Sequence, residues 1–340
     1  MSSPYEEAAR RFSCTHYWVV DLNYIRIGVA SNVKPFPGSN YVYSQCSSEA
    51  ELKQCDYRVS LFAKGFFDCQ ELNWLKEYSD KSFRADRFRS GFYITHHFGE
   101  PAFIFTAGTS AYVIGATLDK LIWAYFTKVF LTLAAENRGD LHLKAACVEL
   151  DEKGILLIGR GSGGKTVMLK EACRRGASFV ANTHCVVSSD RAIGVQSPIR
   201  VRDDPIFAEH IRASGAQPHI EADEYTLRQP EFFERQKPET VPKAMCVVDY
   251  RPDRPRSIRR MTIDQIYAFA ELFAFPTVTY GIKDDVLAAV EGDHFRLAET
   301  FGSMKTKLKN LVSKLPAFYV SIDVTKREDW ICLQQTLVTG

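Results

Sequence analysis

Nine cysteines are present without a single C-x-x-C pair, and none stands at ligand-like spacing from a histidine, so the sequence writes neither a zinc site nor a thiol–disulfide redox motif. Net charge is also scarce. Forty-three basic against 41 acidic side chains leave +2, which gives no sign of an acidic polymer such as nucleic acid as partner. No run is long and apolar enough for a bilayer: the most apolar stretch, 118 to 135, is interrupted by Asp119, Lys120 and Lys128 at helical spacing and reads as a buried amphipathic helix. The opening Met-Ser-Ser-Pro-Tyr-Glu-Glu lacks the basic region and apolar core of a secretory signal. Internal repeats, low-complexity tracts and an N-K-x-D run that would read guanine are missing too. These absences leave the expectation of a globular protein in a reducing cytoplasm, with no membrane or nucleic-acid partner and with free thiols, several of them small core residues.

What the sequence does hold is Gly159-Arg-Gly-Ser-Gly-Gly-Lys-Thr166, which fits the phosphate-binding pattern G-x-x-x-x-G-K-[ST]. The pattern counts only in context, and the context is right. Gly154-Ile-Leu-Leu-Ile158 before it reads as a buried strand, and residues 167 to 175 after it read as a helix closed by Gly176. Gly159, Gly161, Gly163 and Gly164 permit positive-φ backbone, and with Ser162 they turn consecutive N–H groups toward a polyphosphate. The positive end of the helix adds to the attraction. Lys165 has the reach for the β- and γ-phosphate oxygens, and the Thr166 hydroxyl is the type of oxygen that binds a bridging magnesium ion. ATP with Mg2+ is therefore the expected ligand pair.

At 46% hydrophobic and 25% charged residues, the 340-residue chain has material for one large domain or two moderate ones. Residues 1–115 read as β-rich, with strands over 17–20, 24–29, 57–62, 91–95 and 102–105. Residues 116–340 read as an α/β phosphate-loop domain with a loop-rich insertion at about 203–240. Its expected elements are a helix over 118–137, one strand over 141–150, a turn at 151–154 and strands over 155–158, 177–181, 185–187, 194–195, 243–249 and 316–322. Helices are expected over 263–273, 284–289, 295–313 and 327–337, and the basic run 251–260 as a solvated turn.

Leu141-His142, the hairpin that follows, the loop Gly159–Thr166, the Arg175-Gly176 helix end and the next strand together resemble the core of the HPr kinase/phosphorylase-like family, which shares its phosphate-loop fold with phosphoenolpyruvate carboxykinases. Leu315-Pro-Ala-Phe-Tyr319 resembles that family's closing strand. The resemblance covers about 115 to 200 well and the flanks in outline. It implies a nucleotide-dependent kinase, often multimeric. It also implies an aspartate pair at the strand end after the loop helix, for the metal and for the acceptor's proton. Here those positions read Asn182-Thr183, followed by His184.

A neutral pair is no base and a weaker metal ligand. Three groups are candidates to replace it: His184 as base, Asp249 as a metal carboxylate at the end of an apolar strand, and His142 as a polarising group. Each residue type also has an ordinary structural use, a satisfied histidine or a turn aspartate. Asp190, Asp203 and Asp204 are weaker candidates in polar loops. Arg200 and Arg202 are of the type that grips phosphate or an acidic substrate. Three functions stay open: phosphoryl transfer from ATP to a hydroxyl of a small metabolite or peptide, ATP binding as a regulatory or accessory ligand, and ATP use for substrate activation.

Overall fold

A computed structural model gives the fold of residues 9–10, 12–63, 76–78, 85–88, 91–94, 102–115, 118–218, 224–229, 233–250 and 254–339. It is a mixed α/β protein with several mixed sheets, and its contacts divide it into two units, Met1–Phe130 and Leu131–Gly340.

The first unit is built on one nine-stranded sheet. Its strands are β1 (His16–Asp21), β2 (Arg26–Ser31), β3 (Gln45–Cys46), β4 (Tyr57–Ala63), β5 (Lys76–Tyr78), β6 (Ala85–Phe88), β7 (Gly91–Ile94), β8 (Ala102–Ala107) and β9 (Ser110–Gly115). They lie in the order β3-β1-β2-β4-β9-β8-β7-β6-β5. Val20, Ile27, Val29, Leu61 and Val113 are buried in it, as expected of β-branched and aliphatic residues on a packed sheet. The strand expected over 91–95 is present to Ile94, and Thr95 lies outside the described residues.

The expected helix over 118–137 is two kinds of helix: a π-helical turn at Ile122–Phe126, then α1 (Thr127–Asn137). The Thr127 hydroxyl donates to the Ile122 carbonyl at 2.8 Å, and this i−5 bond accompanies the wider turn.

In the second unit the strands are β10 (Leu141–Leu143), β11 (Ala146–Leu150), β12 (Lys153–Ile158), β13 (Ser178–Ala181), β14 (Cys185–Ser188), β15 (Arg191–Gly194), β16 (Ile199–Arg202), β17 (Glu224–Leu227), β18 (Glu239–Thr240), β19 (Pro242–Val248), β20 (Ser257–Arg260) and β21 (Ala317–Ser321). Six of them form the central sheet, ordered β13-β11-β12-β19-β21-β20, in which β12, β19 and β21 run parallel. Both of its faces are covered, which is why its strands read as unbroken apolar runs. Ile155 and Leu157 join Val167, Met168 and Leu169 on one face. Leu156 and Ile158 join Ile266, Ala270, Met304 and Leu308 on the other.

The helices are α2 (Lys165–Arg174), α3 (Ala208–Ser214), α4 (Ile263–Phe273), α5 (Pro276–Thr279), α6 (Lys283–Ala289), α7 (His294–Lys314) and α8 (Arg327–Thr339). A Thr262/Gln265 capping box starts α4, and the Asp293 carboxylate, accepting from the backbone N–H groups of Phe295 and Arg296, starts α7.

Two expectations need correction. The single strand over 141–150 is broken at Lys144-Ala145: β10 pairs with β14 in a second sheet, β11 pairs with β12, and the Lys144 N–H donates to the Ala274 carbonyl at 2.8 Å. The basic run does not end as a turn, because Ser257–Arg260 forms the edge strand β20 against β21, where arginines discourage further pairing. Residues 251–253 of that run lie outside the described residues.

The layered core predicts unequal costs for equal truncations. Leu308, fully buried under the sheet, should lose about 2–5 kcal/mol on replacement by Ala, while Leu272, 59% exposed, should lose no more than about 0.5 kcal/mol. Urea denaturation with unchanged m-value reads both, and equal losses would contradict the packing.

Candidate functional site

β12 delivers the chain to Gly159, and α2 begins at Lys165 with Gly164 as its cap. The loop between them is pinned from the side by the end of β19. The Tyr250 N–H donates to the Gly163 carbonyl at 2.9 Å, and a β-carbon on Gly164 would lie 2.1 Å from the Tyr250 β-carbon. At Gly164, with φ +89°, only glycine meets both the left-handed backbone and the close approach. The positive-φ positions of the loop are Gly159, Ser162 and Gly164, rather than all four glycines. Ser162 carries φ +57° at an exposed site, and at Gly163 a β-carbon would lie 3.1 Å from the Val248 carbonyl oxygen, a tight approach.

Lys165 folds back over the loop. Its ammonium donates to the carbonyls of Gly159 and Arg160, each at 2.8 Å. Burial lowers its pKa to about 8, and the nearby charge of Lys144 adds to the shift. The first turn of α2 holds no acidic side chain, so the helix N-terminus keeps its positive character.

Beside it, the Thr166 hydroxyl donates to Oδ1 of Asn182 at 3.5 Å, a long contact. Asn182, at the end of β13, is thus next to the loop's hydroxyl, where the resemblance implied a carboxylate. Asp249, at the end of β19, is half-buried; it accepts from the Tyr319 hydroxyl at 3.1 Å, and its own N–H donates to the Val320 carbonyl. It immediately precedes the residue bonded to Gly163.

His142 and His184, named separately by the sequence, are one structure. The Thr132 hydroxyl lies 2.9 Å from Nδ1 of His142, and Nε2 of His142 lies 3.0 Å from Nδ1 of His184. Both rings are buried, at 3% and 1% exposed. Burial pushes His142 down to about 3, so it is neutral through the physiological range. The Tyr280 ring lies 5.7 Å from that of His184 and carries the Lys144 ammonium 5.3 Å from its centroid. Burial raises the Tyr280 pKa and lowers that of Lys144.

Arg200 and Arg202 alternate along β16 and are exposed, with Arg200 3.6 Å from Glu224. Asp190 and Asp203 are exposed, and Asp204 accepts from the Ile206 N–H at 2.9 Å as a turn residue. The sequence reading missed Lys144, Tyr250 and Tyr280. Lys144 lay inside an apparent strand, and neither tyrosine belongs to a motif.

No protein-family model matches the chain, and no curated protein matches it. Among solved structures, the HPr(Ser) kinase/phosphatase from Coxiella burnetii is similar at 10% identity and a TM-score of 0.26, covering 58% of this chain and 93% of that one. A likeness of that size carries no argument about mechanism. No helix is long and apolar enough to cross a membrane, and no group of three or more His, Cys, Asp or Glu side chains stands together as a metal site, both among the described residues.

The buried histidine pair predicts a pH signature. His142 binds a proton when unfolded at 6.5 but not when folded until about 3. Its stabilising contribution is therefore complete above pH 6.5 and is lost as pH falls toward 3, at up to about 1.4 kcal/mol per unit. His142→Gln should flatten that limb in denaturation curves across this range. An unchanged slope would place the lost stability elsewhere.

Proposed function

We propose that the loop Gly159–Thr166 binds the triphosphate tail of ATP and that the protein transfers its γ-phosphoryl group to a hydroxyl of a small metabolite or peptide. The observation that carries the reading is the convergence at one loop: backbone N–H groups, the unshielded start of α2 and an ammonium that, among the described residues, bonds main-chain carbonyls. Phosphate oxygens would take Lys165 over from the carbonyls of Gly159 and Arg160.

Magnesium fits the kind of donors present, which are hard oxygens: the Thr166 hydroxyl, the Asn182 amide oxygen and the Asp249 carboxylate. Thr166 and Asn182, whose side chains are in contact, are the residues we assign to it. When bound, the ion supplies positive charge to the β- and γ-phosphates. The remaining work falls to the chain. The acceptor oxygen attacks the γ-phosphorus, the bond from it to the β-bridging oxygen breaks, and ADP leaves with the electron pair. The hydroxyl proton needs a base. His184, 1% exposed behind Tyr280, is badly placed to take it, whereas Asp249 is half-exposed beside the loop, so we assign the proton to Asp249. His142 and His184 then serve to hold the end of β13 that carries Asn182. Arg200, whose charge reaches Tyr280, is the arginine we assign to the acceptor, with Arg202 farther along the same strand.

One observation favours a second reading, ATP as a regulatory ligand without transfer: the group beside Thr166 is the neutral amide of Asn182. Incubation with γ-labelled ATP and hydroxyl acceptors separates the two. Label on an acceptor supports transfer, AMP release supports substrate activation, and saturable binding without products supports the regulatory role. In each case Lys165→Met should weaken ATP binding by about tenfold or more, and undiminished binding would remove the loop from the account.

A further inference from the structure

Several lysines of the second unit, half-buried or exposed, are paired with a carboxylate. Lys170 lies 3.8 Å from Glu171, Lys305 2.7 Å from Glu271, Lys307 2.7 Å from Glu136, and Lys237 pairs with Glu149. Lys144 and Lys165, at the loop, and Lys153, at the far end of β12, are half-buried without such a pair among the described residues. The charge of Lys144 reaches Lys165. Two poorly solvated ammonium groups within electrostatic reach of each other repel, and an anion near both offsets that cost.

Position supports the same conclusion. β11 pairs with β12 as far as Ala146 opposite Leu157. Two residues before Ala146, Lys144 leaves the sheet at the end where Gly159 follows Ile158. Its backbone is held by the Ala274 carbonyl and its ammonium lies over the Tyr280 ring, so the side chain is positioned from two sides. Asn182-Thr183, at the strand end where the resemblance implies two aspartates, brings no negative charge.

We propose that Lys144 is a second phosphoryl-binding residue, contacting the terminal phosphate of a bound triphosphate from the side opposite Lys165. This rests on the nucleotide reading above and adds to it which part of the nucleotide the site distinguishes. Lys165 and the loop amides hold phosphates common to ATP and ADP. Lys144 holds the one that ATP alone possesses, and its charge strengthens on the oxygens of the phosphoryl group in transit, where the neutral strand end gives no metal-binding carboxylate pair.

The test is calorimetric titration of the full chain with ATP, ADP and inorganic tripolyphosphate, each in EDTA and again in magnesium. Lys144→Met should weaken ATP and tripolyphosphate by about tenfold or more while leaving ADP within about twofold, and Lys144→Arg should restore most of the loss. Lys165→Met should weaken all three ligands. Equal change for ATP and ADP in Lys144→Met, or no change for either, overturns the role of Lys144 while leaving the loop assignment standing. Failure of the unaltered protein to bind any of the three overturns the nucleotide reading itself. Should Lys144→Met not fold, by near-ultraviolet circular dichroism, Lys144→Gln gives the same comparison, with the same outcomes deciding it.

Discussion

The candidate site depends on the parallel pairing of β12 with β19. That pairing sets the end of one strand, Ile158-Gly159, level with the end of the next, Val248-Asp249-Tyr250, and the Tyr250–Gly163 hydrogen bond then ties the glycine loop to its neighbour. A loop of small residues has high conformational freedom when it stands alone. Fixed along one side, it directs its amides and the start of α2 toward the same space. The close approach of Tyr250 to Gly164 explains the glycine there by space as well as by backbone conformation.

Around that loop the balance of charge is unusual. Carboxylates pair with several lysines elsewhere in the second unit, whereas Lys165 bonds main-chain carbonyls, the Thr166 hydroxyl meets the Asn182 amide, and Asp249 accepts from a tyrosine hydroxyl. A site of this kind attracts polyanions by its fixed positive charge and depends less on a metal held by paired acids. Behind it, Thr132, His142 and His184 form a buried hydrogen-bonded chain. Chains of this kind fix the orientation of the strand that carries them, since breaking one bond leaves a buried polar atom unsatisfied.

Much of the second unit was legible in the sequence because its signals are local. The apolar run Gly154–Ile158, the glycine pattern and the amphipathic helices each carry their own periodicity, and they stand within a residue or two of where they were read. The parts that were not legible depend on distant partners. Whether residues 141–150 make one strand or two is decided by β14 and by the Ala274 carbonyl, neither of which is near in sequence. The edge strand at Ser257–Arg260 exists because β21 offers an unpaired side, which a run of arginines does not announce. His142 was identifiable within an expected strand and His184 just past the strand end at Asn182-Thr183, but their mutual contact follows from the β10–β14 register, with His142 opposite Val186. Lys144 became visible only when its ammonium over Tyr280 and the reach of its charge to Lys165 were known.

The central claim, that main-chain amides of residues 159–166 bind a polyphosphate, is tested most directly by following those amides. In 15N-labelled protein, addition of ATP should move the glycine amide resonances of Gly159, Gly161, Gly163 and Gly164 together, with one saturable dissociation constant, and inorganic tripolyphosphate should move the same set. Glycines remote from the loop, such as Gly215 and Gly302, should stay in place. If the four loop resonances stay put while ATP is bound, or shift no more than the remote ones, the nucleotide is held elsewhere and the account is contradicted.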